Sequence, residues 1–172
     1  MTLENKAALV TGSSRGIGVD SFSNYPARHA LHHTLPLAVA FVALVYHGVM
    51  DRYPDLRFGF MEGGCGWLAF LLDRMHRDAG YYDRADLPKG APEDYMGGGR
   101  MLVGCEGSEA TLGHVAGRIG IEAFAYASDY PHEVDLPAAR REMEEVAAQD
   151  GVRVSRFGES HEIKWPIPPA AK

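Results

Sequence analysis

What the chain lacks narrows it first. It holds only two cysteines, Cys65 and Cys105, in 172 residues, too few for the disulfide framework of a small secreted domain. No secretory signal pattern opens it, so a reducing cytoplasm is the expected compartment. No cluster of lysine and arginine occurs, and the formal net charge is -6. Nucleic acid and anionic membrane surfaces, which need cations against their phosphates, are therefore not expected as partners. The one strongly apolar run, residues 35–46, falls short of the roughly 20 residues that span a bilayer and reads as a buried helix. What is left is a soluble chain long enough to bury a core of its own.

The first residues differ in character from the rest. Ala7, Ala8, Leu9 and Val10 read as a short buried strand, and glycines follow at positions 12, 16 and 18. In a dinucleotide-binding unit such glycines bring backbone N–H groups to a pyrophosphate at a helix N-terminus. The segment TGSSRGIG closely resembles the cofactor-binding start of short-chain dehydrogenases, and residues 1–18 are set apart as a stub of that kind. An amphipathic helix, a second strand and an acidic residue for the ribose should follow. Instead the chain continues Val19-Asp20-Ser21-Phe22-Ser23-Asn24-Tyr25-Pro26, with no helical periodicity. None of the eight tyrosines has a lysine four positions on, so the Tyr-x-x-x-Lys pair of that family is missing too. A glycine fingerprint without its βαβ unit cannot hold a dinucleotide, and an NAD(P)-dependent oxidoreductase remnant stands only as an alternative.

From Pro36 the pattern alternates helix and strand. Pro36 suits a first helical position, and the helix carries Val39, Phe41, Val42, Val45 and Tyr46 before stopping near Pro54. A strand over residues 56–61 ends in Glu62, and two glycines lead into a helix over residues 67–76. Residues 78–100, rich in glycine and proline, read as a long loop in which Tyr81 and Tyr82 could line a pocket. A second strand, residues 101–105, ends in Glu106. Ser108 can cap a helix whose Leu112, Val115, Ala116 and Ile119 share one face. A third strand, residues 123–127, runs to Asp129, and a last helix covers residues 136–149.

Strands followed by helices at this spacing imply a parallel sheet. Its three strands end in acids, Glu62, Glu106 and Asp129, and in a parallel array the C-terminal tips share one rim, where barrel enzymes keep their chemistry. Converging carboxylates suit a divalent cation or proton transfer. They equally suit the loop and helix N-terminus after each strand, where an acid caps and meets the dipole.

Three segments carry a resemblance. RFGFMEGGCGW, residues 57–67, closely resembles the sixth-strand motif of the amidohydrolase family that includes aminocarboxymuconate-semialdehyde decarboxylase. HGVMDRYPDLR matches the segment leading into that strand, and YASDYPH, residues 126–132, looks like the family's last-strand signature. The matches run in order over residues 29–149. The resemblance implies an α/β fold, a partial (β/α) TIM barrel with three C-terminal strand–helix units in residues 19–155, preceded by the short N-terminal strand. It implies a metal-dependent hydrolase or decarboxylase, a lyase in the second case, with a divalent ion such as zinc as cofactor and a small carboxylated or amide substrate, aromatic acids included.

Site roles follow the same resemblance. Asp129 matches the last-strand metal ligand, able to take a proton from metal-bound water. Glu62 stands where the decarboxylases carry a histidine, which implies a general acid/base or substrate-orienting role. His132 falls where a substrate-contacting residue, or one supporting a ligand, is expected. Among His29, His32 and His33, the pair four apart shares a helical face, and His33 is the candidate second metal ligand. Cys65 and Trp67 belong to the motif as packing residues.

The chain departs from the family in ways that matter. A complete barrel takes about 250 residues, the first-strand His-x-His pair is absent from the sequence, and residues 156–172 read as a loose, proline-ended tail. Two candidate ligands are fewer than the three protein ligands of catalytic zinc sites. A truncated enzyme, weak or inactive alone, is the expectation. Bare sheet edges and apolar helix faces would then favour homo-oligomers, and a non-catalytic oligomerising module is the third reading.

Overall fold

The computed structural model describes residues 7–11, 21–96, 99–107, 109–120, 123–128, 130–132 and 134–148, with the backbone alone for residues 7–11. In chain order the elements are β1 (Ala7–Thr11), α1 (Tyr25–His32), α2 (Thr34–Tyr46), α3 (Val49–Arg52), β2 (Arg57–Met61) and α4 (Gly66–Ala79). Then come β3 (Met101–Cys105), α5 (Leu112–Ile119), β4 (Phe124–Tyr126) and α6 (Leu136–Ala148). The strands form one sheet in the order β1-β2-β3-β4, with every pairing parallel. The three expected strand–helix units are β2–α4, β3–α5 and β4–α6. The short N-terminal strand pairs with β2, in a register that sets Ala7 against Arg57 and Thr11 against Met61.

Residues 19–26 lack helical periodicity, yet α1 starts at Tyr25. Capping accounts for it: the Asn24 side chain accepts a hydrogen bond from the Ala27 N–H at 2.8 Å, and a proline occupies the first turn. No residue of α1 is buried, so there is no apolar stripe to reveal it. The apolar helix begins at Thr34, two residues before Pro36. Together, Tyr25–Tyr46 is long and apolar enough to cross a membrane by length and composition. Within α2, Leu37, Phe41 and Val45 are fully buried, while 17% of the membrane-length window as a whole is buried.

That burial places the core. Phe58 and Phe60 of β2 and Met101 and Val103 of β3 alternate onto the helix-covered side of the sheet, as the two-residue period of a strand requires. There Phe41, Phe60 and Trp67 stand pairwise at ring-centroid separations of 5.8 to 5.9 Å, tilted or edge to face. Burying each such side chain contributes about 2–3 kcal/mol. From α5, Leu112 and Val115 close the layer without exposure.

The long loop is less irregular than its composition suggests. It contains two 3-10 turns, Arg84–Asp86 and Pro92–Tyr95. Tyr95 is buried, accepts the Gly90 N–H at 2.9 Å and donates to Asp51 Oδ1 at 3.0 Å. The Arg84 guanidinium donates to the carbonyls of Pro88 and Lys89. A half-open cleft of about 330 Å³ lies between this loop and the C-terminal ends of α2 and α4. Tyr81 and Tyr82 are 75% and 62% exposed and do not line it.

Candidate functional site

Because all four strands run the same way, their C-terminal tips share one rim. Glu62 directly follows β2 and Glu106 directly follows β3. Helix α2 runs back from that rim: the Thr34 hydroxyl, at its start, donates to the Gly63 carbonyl at 3.2 Å. This brings His33 to Glu62, with Nδ1 3.9 Å from Oε2. Of the residues singled out from sequence, Glu62 and His33 are therefore side by side. Asp129, the third candidate, lies outside the described residues, as do residues 12–20 of the glycine-rich start and Ser108. The α5 helix has Thr111 at its N-cap. His132 is exposed in a turn beyond β4, and β3 separates that strand from the one bearing Glu62.

Glu62 stands out on backbone grounds. It has φ 69°, and among the described residues it is the only non-glycine with positive φ. An L-residue in the left-handed region costs about 1–2 kcal/mol, and such strain concentrates at functional sites. Its side chain is 51% exposed and so faces the rim rather than the core.

The turn that carries Glu62 is held on several sides. Gly64, with φ 62°, accepts at its carbonyl a 2.8 Å hydrogen bond from the Trp67 indole Nε1–H. The next two N–H groups, at the N-terminus of α4, have no cap of their own, since Cys65 supplies no side-chain hydrogen bond there. Both donate to Glu109 Oε1, Cys65 at 2.6 Å and Gly66 at 3.2 Å. Glu109 Oε2 accepts the Glu106 N–H at 2.9 Å. Sequence reasoning missed Glu109. Its signal was a helix opening GGCGW without a Ser, Thr, Asp or Asn cap, which left an acceptor to be found elsewhere in the fold.

Electrostatically the rim is acidic with a histidine flank. Burial, then the charges of Glu109 and Glu142, push the Glu106 carboxyl above its usual range, while His29 opposes the rise. The ring of His33 packs at 4.0 Å from His32 and 5.4 Å from His29, centroid to centroid. Burial is also the first cause of the raised thiol of Cys105, pushed up to about 11. Cys65 rises further, with Glu109 as the next cause, and both cysteines are buried in the core.

Among the described residues, no group of three His, Cys, Asp or Glu side chains is disposed to hold a metal ion. His33 with Glu62 falls short of the three protein ligands of a catalytic zinc site, so the described rim does not by itself fit the ion that the family resemblance implies.

No protein-family model and no curated protein sequence matches the chain. Solved structures do. An amidohydrolase of Mycobacterium avium subsp. paratuberculosis K-10 superposes with TM-score 0.61 at 19% identity, over 75% of this chain and 32% of that one. The 5-carboxyvanillate decarboxylase LigW of Sphingomonas paucimobilis superposes with TM-score 0.56 at 20% identity, over 79% of this chain and 42% of its own. A 5-carboxyvanillate decarboxylase of Novosphingobium aromaticivorans, solved with manganese and a nitrobenzoic acid, gives TM-score 0.48 at 23% identity, over 66% of this chain and 33% of that one. Both better-fitting structures are TIM-barrel proteins of the amidohydrolase superfamily. The likeness establishes the fold: the open parallel sheet and its helices correspond to part of a (β/α) barrel. The chain spans well under half the length of either structure.

Proposed function

We propose that the chain carries the C-terminal units of a metal-dependent amidohydrolase-type enzyme, a hydrolase or carboxy-lyase for a small carboxylated or amide substrate, aromatic acids included. The observation that carries this reading is Glu62, held in the left-handed region at a strand tip, 3.9 Å from His33. In this reading Glu62 moves the proton at the reacting atom through its carboxylate, His33 orients that carboxylate, and His132 contacts substrate. The divalent ion would have Asp129 and His33 to bind, and it would supply electrophilic polarisation of a substrate oxygen. Two protein ligands hold an ion weakly, so the activity of this chain alone is low. The barrel likeness and the RFGFMEGGCGW and YASDYPH motifs support the assignment.

The test is metal-stimulated release of carbon dioxide or amide cleavage from a panel of small aromatic acids and amides, with manganese or zinc added. Activity lost in both Glu62→Gln and Asp129→Ala supports the reading. Activity indifferent to Glu62→Gln sinks it.

One observation favours a second reading, a non-catalytic self-associating module. On the outer side of α2, Leu35 and Val39 are 40% and 61% exposed. Sedimentation as a clean monomer at high concentration would remove that alternative.

A further inference from the structure

The carboxylate of Glu109 joins two loops that arise on neighbouring strands. One oxygen takes the N–H groups of Cys65 and Gly66, and the other takes the N–H of Glu106. The fit is close: a methyl group at Gly64 would collide with Glu109 Oε1, and one at Gly66 would approach Thr111 Oγ1 at 2.9 Å. A carboxylate accepting three backbone N–H groups is a charge-assisted arrangement. It also faces the positive end of α4, where a negative group is favoured. Both oxygens are thereby committed to backbone donors, which leaves Glu109 poorly placed to exchange protons with a substrate.

The Glu62–Gly66 turn has two further ties, Thr34 to the Gly63 carbonyl and Trp67 to the Gly64 carbonyl. Those two hold it against α2 and within α4, and neither reaches β3. Glu109 alone, among these bonds, fixes the tip of β2 relative to the tip of β3.

We infer that Glu109 is the positioning residue of the rim: it locks the Glu62–Gly66 turn to the Glu106 tip and so sets where the Glu62 carboxylate stands. The inference rests on reading Glu62 as the reacting carboxylate, but its test needs no turnover.

The experiment is amide hydrogen exchange and nuclear Overhauser spectroscopy on the full chain, comparing wild type with Glu109→Ala and Glu109→Gln. In wild type, Glu62 gives a strong intraresidue Hα–HN effect, as positive φ brings the two protons close. In Glu109→Ala the Cys65, Gly66 and Glu106 amides should exchange faster by on the order of tenfold. The Trp67 indole N–H should lose protection, and the strong Glu62 effect should fade. Glu109→Gln keeps one acceptor oxygen, so either the Cys65 and Gly66 amides or the Glu106 amide should accelerate while the other side stays slow, because the carboxamide nitrogen cannot accept. Val115→Ala, a core change on α5, serves as the comparison for general destabilisation and should leave the Glu62 effect intact. If Glu109→Ala retains the wild-type Glu62 effect, the inference is overturned. Should that variant fail to fold, unchanged protection at all three amides, Cys65, Gly66 and Glu106, in Glu109→Gln overturns it equally. Metal-stimulated activity indifferent to Glu62→Gln would instead count against the enzyme reading, and the two failures are thereby told apart.

Discussion

His33 Nδ1 lies 3.9 Å from Glu62 Oε2, across the junction between the start of α2 and the turn after β2. The pair exists because α2 runs antiparallel to the strands and delivers its first residues to their C-terminal tips. The backbone at Glu62 pays a conformational penalty to stand there. Glu62→Gly should relieve that strain and raise stability by about 1 kcal/mol or less, the left-handed cost set against glycine's extra freedom when unfolded. Any rim chemistry should be lost at the same time. Urea unfolding measures the first effect, and a clear loss of stability in Glu62→Gly would contradict it.

Gly64 is the opposite case. Its φ is 62°, and a Cβ there has no room beside Glu109. Gly64→Ala should destabilise by about 1–3 kcal/mol, the usual range for a side chain forced into a sparsely populated backbone region. A midpoint unchanged from wild type would show that the turn can yield.

Burial raises the thiols of Cys65 and Cys105. A raised thiol stays protonated through neutral and mildly alkaline pH, and the thiolate is the reactive form. Both cysteines should therefore resist a water-soluble thiol reagent in the native chain at slightly alkaline pH and react promptly in denaturant. Rapid native labelling would show that the tips of β2 and β3 open.

Glu106 holds its proton more tightly folded than unfolded, from burial first and then from Glu109 and Glu142. Ionisation thus works against the folded state, and stability falls as pH rises from the ordinary glutamate value through the raised one. Glu106→Gln should be more thermostable than wild type at neutral pH. The gain should vanish below pH about 4, where the carboxyl is protonated in either state. The side chain still reaches solvent, so the gain is small. Equal melting temperatures at neutral pH would refute it.

In the core, Phe41 touches both Phe60 and Trp67 and has no exposure. Phe41→Ala should cost about 3–5 kcal/mol, enough to unfold a marginal domain. Calorimetry of the variant decides.

The elements that bury apolar stripes were legible in the sequence. β2, β3 and α5 announce themselves through Phe58 and Phe60, Met101 and Val103, and Leu112 and Val115, because burial selects residues at the period of the element. α1 was not legible, since it buries nothing and depends on one Asn24 hydrogen bond. At the site, the strand-ending acids could be named in advance because they follow apolar runs. The approach of His33 could not be read from spacing, since it depends on how α2 packs, 29 positions before Gly63 in the contact made by Thr34. Glu109 was hidden for a related reason: its partners sit 43 and 44 residues away in sequence.

The N-terminal strand has a last consequence. Thr11 stands opposite Met61, so the backbone quits β1 one step from the strained glutamate, whatever lineage its residues came from. A ladder of main-chain hydrogen bonds asks little of side chains, so a strand of different sequence can be accepted on those terms. Exchange of the residues that follow Thr11 is therefore a route by which new recognition elements would be set beside the tip of β2 without redesigning the sheet.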